Sequence, residues 1–234
     1  MRFQPFARAL TAAACVALLA AAATPVSAAP NLVVNGSFES GLAGWTIGGT
    51  DLQGYPPVAI TYNSATAYPT GAFGEAVTPN NAPTNSNDPV GTHAAYFVSD
   101  LTINQSLSQS VFLTPGIYQI GFSSYLPANG FANAGDATFA GVVAGVTLAS
   151  FAASTGTAQT WQTFEGSTTI AVAGNYLVEF VFNTSLFPSK DVVIDQAYII
   201  AGDPPIATPE PMSIALLGGS LMGLGLIRTA RRRN

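Results

Sequence analysis

From residue 176 to residue 182 every second side chain is large and apolar. Tyr176, Val178, Phe180 and Phe182 alternate with Leu177, Glu179 and Val181. Successive side chains of a strand point to opposite faces, so this spacing puts one strongly aromatic set on one face and a mixed set on the other. The same reading covers most of the chain. Tyr118 to Phe122 alternates apolar with small or polar residues, and Pro115-Gly116 supplies the turn that leads into it. Thr102 to Leu113 places Ile103, Leu107, Val111 and Leu113 on one side, and Val90 to Val98 and Lys190 to Ile200 read as further strands. Ala137 to Phe151 reads as two short strands around Gly145, and Val58 to Tyr62 as one more. No helical period appears between residues 30 and 205. Short strands separated by Gly, Asn and Pro clusters predict an all-β fold, a sandwich or barrel.

Charge narrows the partners. Only 8% of the 234 residues are charged. All twelve acids lie between Glu39 and Glu210, whereas the basic residues other than Lys190 sit at the two ends: Arg2, Arg8, Arg228, Arg231, Arg232 and Arg233. The central domain is therefore far more acidic than the net charge of -5 suggests. Such a surface repels phosphate backbones and argues against nucleic acid as a partner. The beginning of the chain reads as a secretory signal. Arg2 and Arg8 precede an Ala- and Leu-rich run, and Val26-Ser27-Ala28 offers a cleavage site before Ala29. Cys15, the one cysteine, falls inside that segment, so a mature protein would have no disulfide, thiolate chemistry or Cys-ligated zinc.

The inventory of catalytic groups is thin. His93 is the only histidine, and a lone His on a predicted strand reads as a packed or hydrogen-bonded residue rather than a general base. No G-x-S-x-G and no H-E-x-x-H occurs. Paired carboxylates for glycoside hydrolysis sit in no motif. The expectation is a protein that is not an enzyme.

One stretch resists the strand pattern. Residues 48–88 are rich in Gly, Pro, Asn and Thr and carry Tyr55, Tyr62, Tyr68 and Phe73. Long ordered loops in a compact domain are often functional. Flat rings beside hydrogen-bonding amides suit a sugar site, and Tyr55, Tyr62 and Tyr68 are its candidate ligand-binding residues. Asn63, Asn80, Asn81, Asn129 and Asn133 provide the amides, with Tyr125 and Phe131 as further rings. The other reading of the same rings is that they close the ends of a sandwich.

The C-terminal residues carry an address. Pro209-Glu210-Pro211 is followed by an apolar run from Met212 to Ile227, interrupted by four glycines, and then by Arg228 and Arg231-Arg232-Arg233. The run falls just short of the roughly 17 residues a membrane-spanning helix needs, and the arginines would hold the C-terminus in the cytoplasm. It reads as an anchor, either permanent or held only until it is cut. This order of features resembles the PEP-CTERM sorting signal of Gram-negative bacteria. That resemblance implies recognition and cleavage near Pro209-Glu210-Pro211 by exosortase, an integral membrane protease. It further implies transient residence in the inner membrane, final delivery to the cell surface or extracellular matrix, and association with extracellular polysaccharide.

A second resemblance lies in the domain. Asn35-Gly36-Ser37-Phe38-Glu39 followed by Gly44-Trp45, with Ile194-Asp195 near the end, is similar to galactose-binding-like jelly-rolls, including carbohydrate-binding modules. It implies a jelly-roll β-sandwich in which Phe38 and Trp45 plug one end. First and last strands lie near each other in that fold, so Glu39 and Asp195 are candidate ligands of a structural calcium with backbone carbonyls. The alternative is an exposed strand-end acid at Glu39 and a turn-capping Asp195. The expected organisation is a signal peptide over residues 1–28, a β-sandwich over 29–201, a Pro-rich linker over 202–208 and the sorting segment over 209–234.

Overall fold

The alternating segments form ten strands in the structure, a computed structural model that describes residues 29–202. In chain order they are β1 (Thr46–Asp51), β2 (Val58–Thr61), β3 (His93–Phe97), β4 (Thr102–Leu113) and β5 (Gly116–Tyr125), then β6 (Ala137–Val143), β7 (Val146–Ala152), β8 (Gln162–Ile170), β9 (Gly174–Thr184) and β10 (Val192–Ala201). One helical turn, α1 (Ala128–Phe131), interrupts the β5–β6 connection. The segments expected to be a signal peptide and a linker beyond Gly202, and the expected sorting residues Pro209, Glu210, Pro211, Arg228, Arg231, Arg232 and Arg233, lie outside the described residues. Among the described residues no helix is long and apolar enough to cross a membrane.

The strands make two five-stranded sheets, in the orders β1-β4-β9-β6-β7 and β2-β3-β10-β5-β8. Every pairing between these strands is antiparallel. The sheets face each other as a jelly-roll β-sandwich. The alternation explains the core. Val178, Phe180 and Phe182 of β9 are fully buried; Phe182 meets Phe97 and Phe180 meets Phe122 across the sandwich, with Phe139 beside them on β6. Phe139 sits at the centre, with ring centroids 5.0 Å from both Phe97 and Phe122 in edge-on geometry. Phe38 and Trp45 pack with centroids 5.7 Å apart, and Trp45 meets Phe180 edge-on, so the expected end plug is present. The Trp45 indole N–H donates to the Asn35 carbonyl at 3.0 Å, which satisfies its one polar atom.

The β4 pattern needs a correction. Leu107, Val111 and Leu113 are buried as expected, but Ile103 is 61% exposed. Asn104 takes a positive φ of 52°, and the β1–β4 register shifts between Gly48 and Thr50. Asn tolerates the left-handed region better than most residues. The irregularity reverses the in-out order on its N-terminal side, so Thr102 is buried in place of Ile103, while Gln105 keeps the inward place that alternation with Leu107 gives it.

The sheet containing β10 is covered on both faces. All its positions from Val192 to Ile200 are buried, which is the pattern of a strand sandwiched between two layers. One layer is the main core. The other is a second apolar cluster of Ile60, Tyr62, Ala72, Val77, Tyr96, Tyr125, Trp161 and Val193. The β2–β3 connection, residues 62–92, takes in most of the irregular stretch and lies over the outer face of this sheet. The Trp161 indole donates to the Thr78 carbonyl at 2.8 Å, and the Gln196 amide to the Asp88 carbonyl at 2.8 Å. A large part of the irregular stretch is therefore a structural cover.

Candidate functional site

Two carboxylates stand at positions singled out in the sequence. Glu39 accepts the Thr92 and His93 backbone N–H groups, both at 2.7 Å, and the Thr92 hydroxyl at 3.2 Å. Burial pushes its carboxyl up, but these bonds, with His93 Nδ1 at 3.4 Å, outweigh it and hold the group below its ordinary value. Gly91 makes this contact feasible: a Cβ there would lie 2.1 Å from the Glu39 carboxyl carbon, and φ is +66°. His93 is thus a hydrogen-bonded partner of Glu39. Asp195 is fully buried. Its Oδ2 accepts the Tyr62 hydroxyl at 2.7 Å and the Asn80 amide at 3.1 Å, and its Oδ1 accepts the Gln196 N–H at 2.6 Å.

These environments do not suit a shared calcium. The ion takes about six to eight oxygen ligands, yet Glu39 takes four donors and Asp195 three, so most of the lone pairs a cation would use are engaged. Their hydrogen-bond partners belong to two separate sets. Among the described residues no group of three His, Cys, Asp or Glu is placed to hold a metal. The residues present do not fit the ion.

The three tyrosines separate. Tyr62 is buried, packs edge-on against Trp161 with centroids 6.0 Å apart, and spends its hydroxyl on Asp195. It offers no ring face to a ligand and is corrected to a core residue. Tyr55 and Tyr68 come together at the other end of β10, with centroids 5.1 Å apart and planes at 79°. Tyr68 is half-buried, donates its hydroxyl to the Pro56 carbonyl at 2.9 Å and stacks on Phe73 at 5.9 Å. Phe73 is 46% exposed and Tyr55 36%. Phe73 also holds a φ of +48°, a conformation costly for an aromatic residue and found most often where a site fixes a side chain.

Tyr55 and Phe73, with Tyr68 packed behind them, border a cleft of about 380 Å³ at the loop end of the sandwich. The β1–β2, β2–β3, β3–β4, β5–β6 and β9–β10 connections build it. Phe187, 60% exposed, faces it from the β9–β10 loop. Gln53 and Asp100 grip one another: the Asp100 N–H donates to Gln53 Oε1 at 2.6 Å, and Gln53 Nε2 returns a bond to Asp100 Oδ2 at 3.0 Å. Asp100 Oδ1 also accepts the Ser189 N–H at 2.5 Å. Asn129 projects from α1 and is exposed. Asn133 also lines the cleft and donates its side-chain N–H to the Ser189 carbonyl at 2.6 Å. Asp191 forms the floor, 6% exposed, with its Oδ2 accepting the Tyr96 hydroxyl. Burial pushes the Asp191 carboxyl up to about 7 against the pull of that bond, and Asp100 and Glu75 add to the rise.

A second concavity, of about 780 Å³, runs over the outer face of β9, β6 and β7. Thr138, Ala140, Ser150 and Val181 line it with small side chains, and Glu179 and Asn183 supply polar groups. Its two aromatic residues, Phe139 and Phe151, are buried in the core, so it presents no exposed ring. The loop-end cleft is the better candidate.

Sequence reasoning found Tyr55, Asn129 and Asn133 of this cleft, and Tyr68, which packs behind Tyr55 and Phe73, and it missed Gln53, Phe187, Asp100 and Asp191. Phe187 carried one signal, a large apolar residue in a Ser-Leu-Phe-Pro loop with no strand to bury it. Asp100 and Asp191 carried none, because their place depends on which loops the topology gathers. Of the other residues named from sequence, Tyr125 and Asn80 are buried away from the cleft, Asn63 and Asn81 are exposed, and Phe131 lies beneath Lys190, whose Nζ is 4.7 Å from the ring centroid.

Two antiparallel sheets with an aromatic cleft at the loop end define the class: a jelly-roll β-sandwich with a concave site of mixed rings and acceptors. No family model and no curated protein matches the chain. Solved structures resemble it at low identity. TmCBM61 in complex with β-1,4-galactotriose is 17% identical over 74% of this chain and 99% of its own, with a TM-score of 0.45. A family 16 carbohydrate-binding module-2 is 18% identical over 73% and 99%, with a TM-score of 0.44. The CBM22-1–CBM22-2 tandem from Paenibacillus barcinonensis Xyn10C is 16% identical over 80% of this chain and 49% of its own, also at 0.44. Likeness at this level says nothing about what this chain binds.

Proposed function

We propose that the protein is an exported carbohydrate-binding β-sandwich that holds extracellular polysaccharide in the loop-end cleft. The observation that carries this reading is the cluster of Tyr55, Phe73 and Phe187, exposed beside Asn129, Asn133 and Asp100. A sugar ring has an apolar face and a rim of hydroxyls. Exposed aromatic rings cover the first at low entropic cost, and amides and carboxylates satisfy the second. The reaction chemistry of the site is binding alone: a glycan enters, stacks and leaves unchanged.

Affinity electrophoresis through gels containing polysaccharide tests the cleft. Tyr55→Ala and Phe187→Ala are expected to lose most of the retardation shown by the parent, about tenfold or more in Kd, with little change in melting temperature because both rings are partly solvated. Unchanged retardation in both variants, or a parent that no polysaccharide retards, overturns the reading.

Export and sorting belong to the same proposal and are supported by the order of Pro209-Glu210-Pro211, the apolar run and the terminal arginines. The protein would pass the inner membrane, pause there by its C-terminal segment, and reach the surface after an exosortase-type protease cuts. Mass spectrometry of the surface form is expected to show a chain ending near Pro211. Replacing Arg231, Arg232 and Arg233 by alanine is expected to leave the uncut chain in the membrane fraction. Arginines still present on the surface form would point to a permanent anchor.

A further inference from the structure

We propose that the loop-end cleft selects a glycan carrying a free, protonated sugar amine, with the ammonium group facing Asp100 and Asp191 and the sugar ring against Tyr55 and Phe187. This rests on the sugar-binding reading above and names its ligand class. Asp191 is nine-tenths buried, yet only its Oδ2 has a hydrogen-bond partner, the Tyr96 hydroxyl; its Oδ1 has none among the described residues. That oxygen is free to accept a donor from a ligand entering the cleft, which the side chain lines. Gly130 lets the α1 backbone pack directly against the rest of the carboxyl: a Cβ there would come 2.4 Å from the Asp191 carboxyl carbon.

Asp100 adds a second negative group on the same cleft. Each of its side-chain oxygens takes one donor, from Ser189 and Gln53, and a carboxylate oxygen can accept two. Among the described residues neither carboxylate is in an ion pair with a cation. Lys190 is the one basic residue between residues 29 and 202 other than His93, and its Nζ donates to the Phe131 and Asn133 carbonyls at 2.6 and 2.8 Å. Glu75 accepts the Asn129 N–H at 3.1 Å and deepens the negative field at the same end. Burial first, and that field second, make Asp191 resist ionisation in the empty cleft. An ammonium group answers each feature. It donates to the free Oδ1, favours the ionised form of Asp191 beside Asp100, and is attracted to the faces of the surrounding rings. Uronic or sulfated sugars meet the opposite field.

Titration calorimetry on the full chain, just below neutral pH in low salt, tests this. The probes are short β-1,4-linked glucosamine oligomers, their N-acetylated counterparts and neutral β-1,4-glucan oligomers. The free amine is expected to bind about tenfold or more tightly than either. Asp191→Asn is expected to reduce that preference to about twofold or less while leaving weak binding of the acetylated oligomer. Asp100→Asn serves the same purpose should the buried substitution lower the melting temperature. An acidic protein attracts any polycation, so Tyr55→Ala is the decisive control. If it binds the glucosamine oligomer as the parent does, the attraction is diffuse and the inference falls. Equal or tighter binding of acetylated or neutral oligomers, dependent on Tyr55, also overturns it but leaves the sugar-binding reading standing. Binding of none of the three, together with no retention by any polysaccharide, removes both.

Discussion

Tyr62→Ala is expected to lower the stability of the protein by about 3–5 kcal/mol, the range for truncating a fully packed aromatic side chain. The loss has two parts. The ring leaves a cavity against Trp161 in the second apolar cluster. The hydroxyl, removed from 2.7 Å, leaves the fully buried Asp195 with only Asn80 and Gln196 as partners. Tyr62→Phe separates these parts: it keeps the ring and is expected to cost about 1–3 kcal/mol, the penalty of an under-satisfied buried group. Urea unfolding of both variants beside Tyr55→Ala measures the contrast. A Tyr62→Ala variant as stable as Tyr55→Ala would mean that Tyr62 does not fasten the cover of residues 62–92 to β10.

The pH profile of stability is expected to slope in an unusual direction. Burial raises the carboxyls of Asp191 and Asp195 from 3.8 to about 7, against the donors that favour their ionised forms. Between those values the folded protein keeps protons that the unfolded chain has released. It therefore binds more protons than the unfolded chain, and stability falls as pH rises through that window. The contribution is complete below about 3.8 and gone above about 7, a few kcal/mol at most for each group. Glu39 and Asp136 act in the other sense. Both are held below their ordinary 4.5 and 3.8, so the stability they add is lost in stronger acid, as pH falls through their lowered values. A maximum in mildly acidic solution follows. Thermal unfolding across this range is expected to show melting temperature dropping toward pH 7, with Asp195→Asn flattening part of the drop. A melting temperature that climbs steadily from pH 4 to pH 8 would contradict the buried-carboxyl argument.

The parts of the fold that were legible in the sequence are those where one face is buried. β4, β5 and β9 show period-two patterns because each lies inside its sheet with one side on the core. The sequence did not announce β1 and β8, and both are edge strands. β1 contains Gly48 and Gly49 and buries none of its six residues; β8 carries Gln162, Glu165, Ser167, Thr168 and Thr169 and buries only Ile170. Edge strands are paired on one side only, and polar edges discourage pairing with other chains, so little hydrophobic alternation survives to be read. The cleft divides in the same way. Tyr55 and Tyr68 stood out by local composition. Tyr62 has the same local composition but is buried by a partner 133 positions away, Asp195. No short-range pattern records a contact of that span.

The chain enters and leaves the described domain at one place. The Leu32 N–H donates to the Ile199 carbonyl at 2.9 Å, near the end of β10, and the Gly202 N–H closes the exit on the Ile117 carbonyl at 2.8 Å. Asp191 and the cleft lie at the start of the same strand. Ten residues of strand cover roughly 30 Å at about 3.3 Å per residue. The exit of the chain at Gly202 and the cleft of Asp191 thus stand at opposite ends of one strand. Under the proposed reading, in which the C-terminal segment anchors the domain and the cleft holds a glycan, the point of attachment and the point of binding are set about one strand length apart, and the rigid β10 fixes that separation.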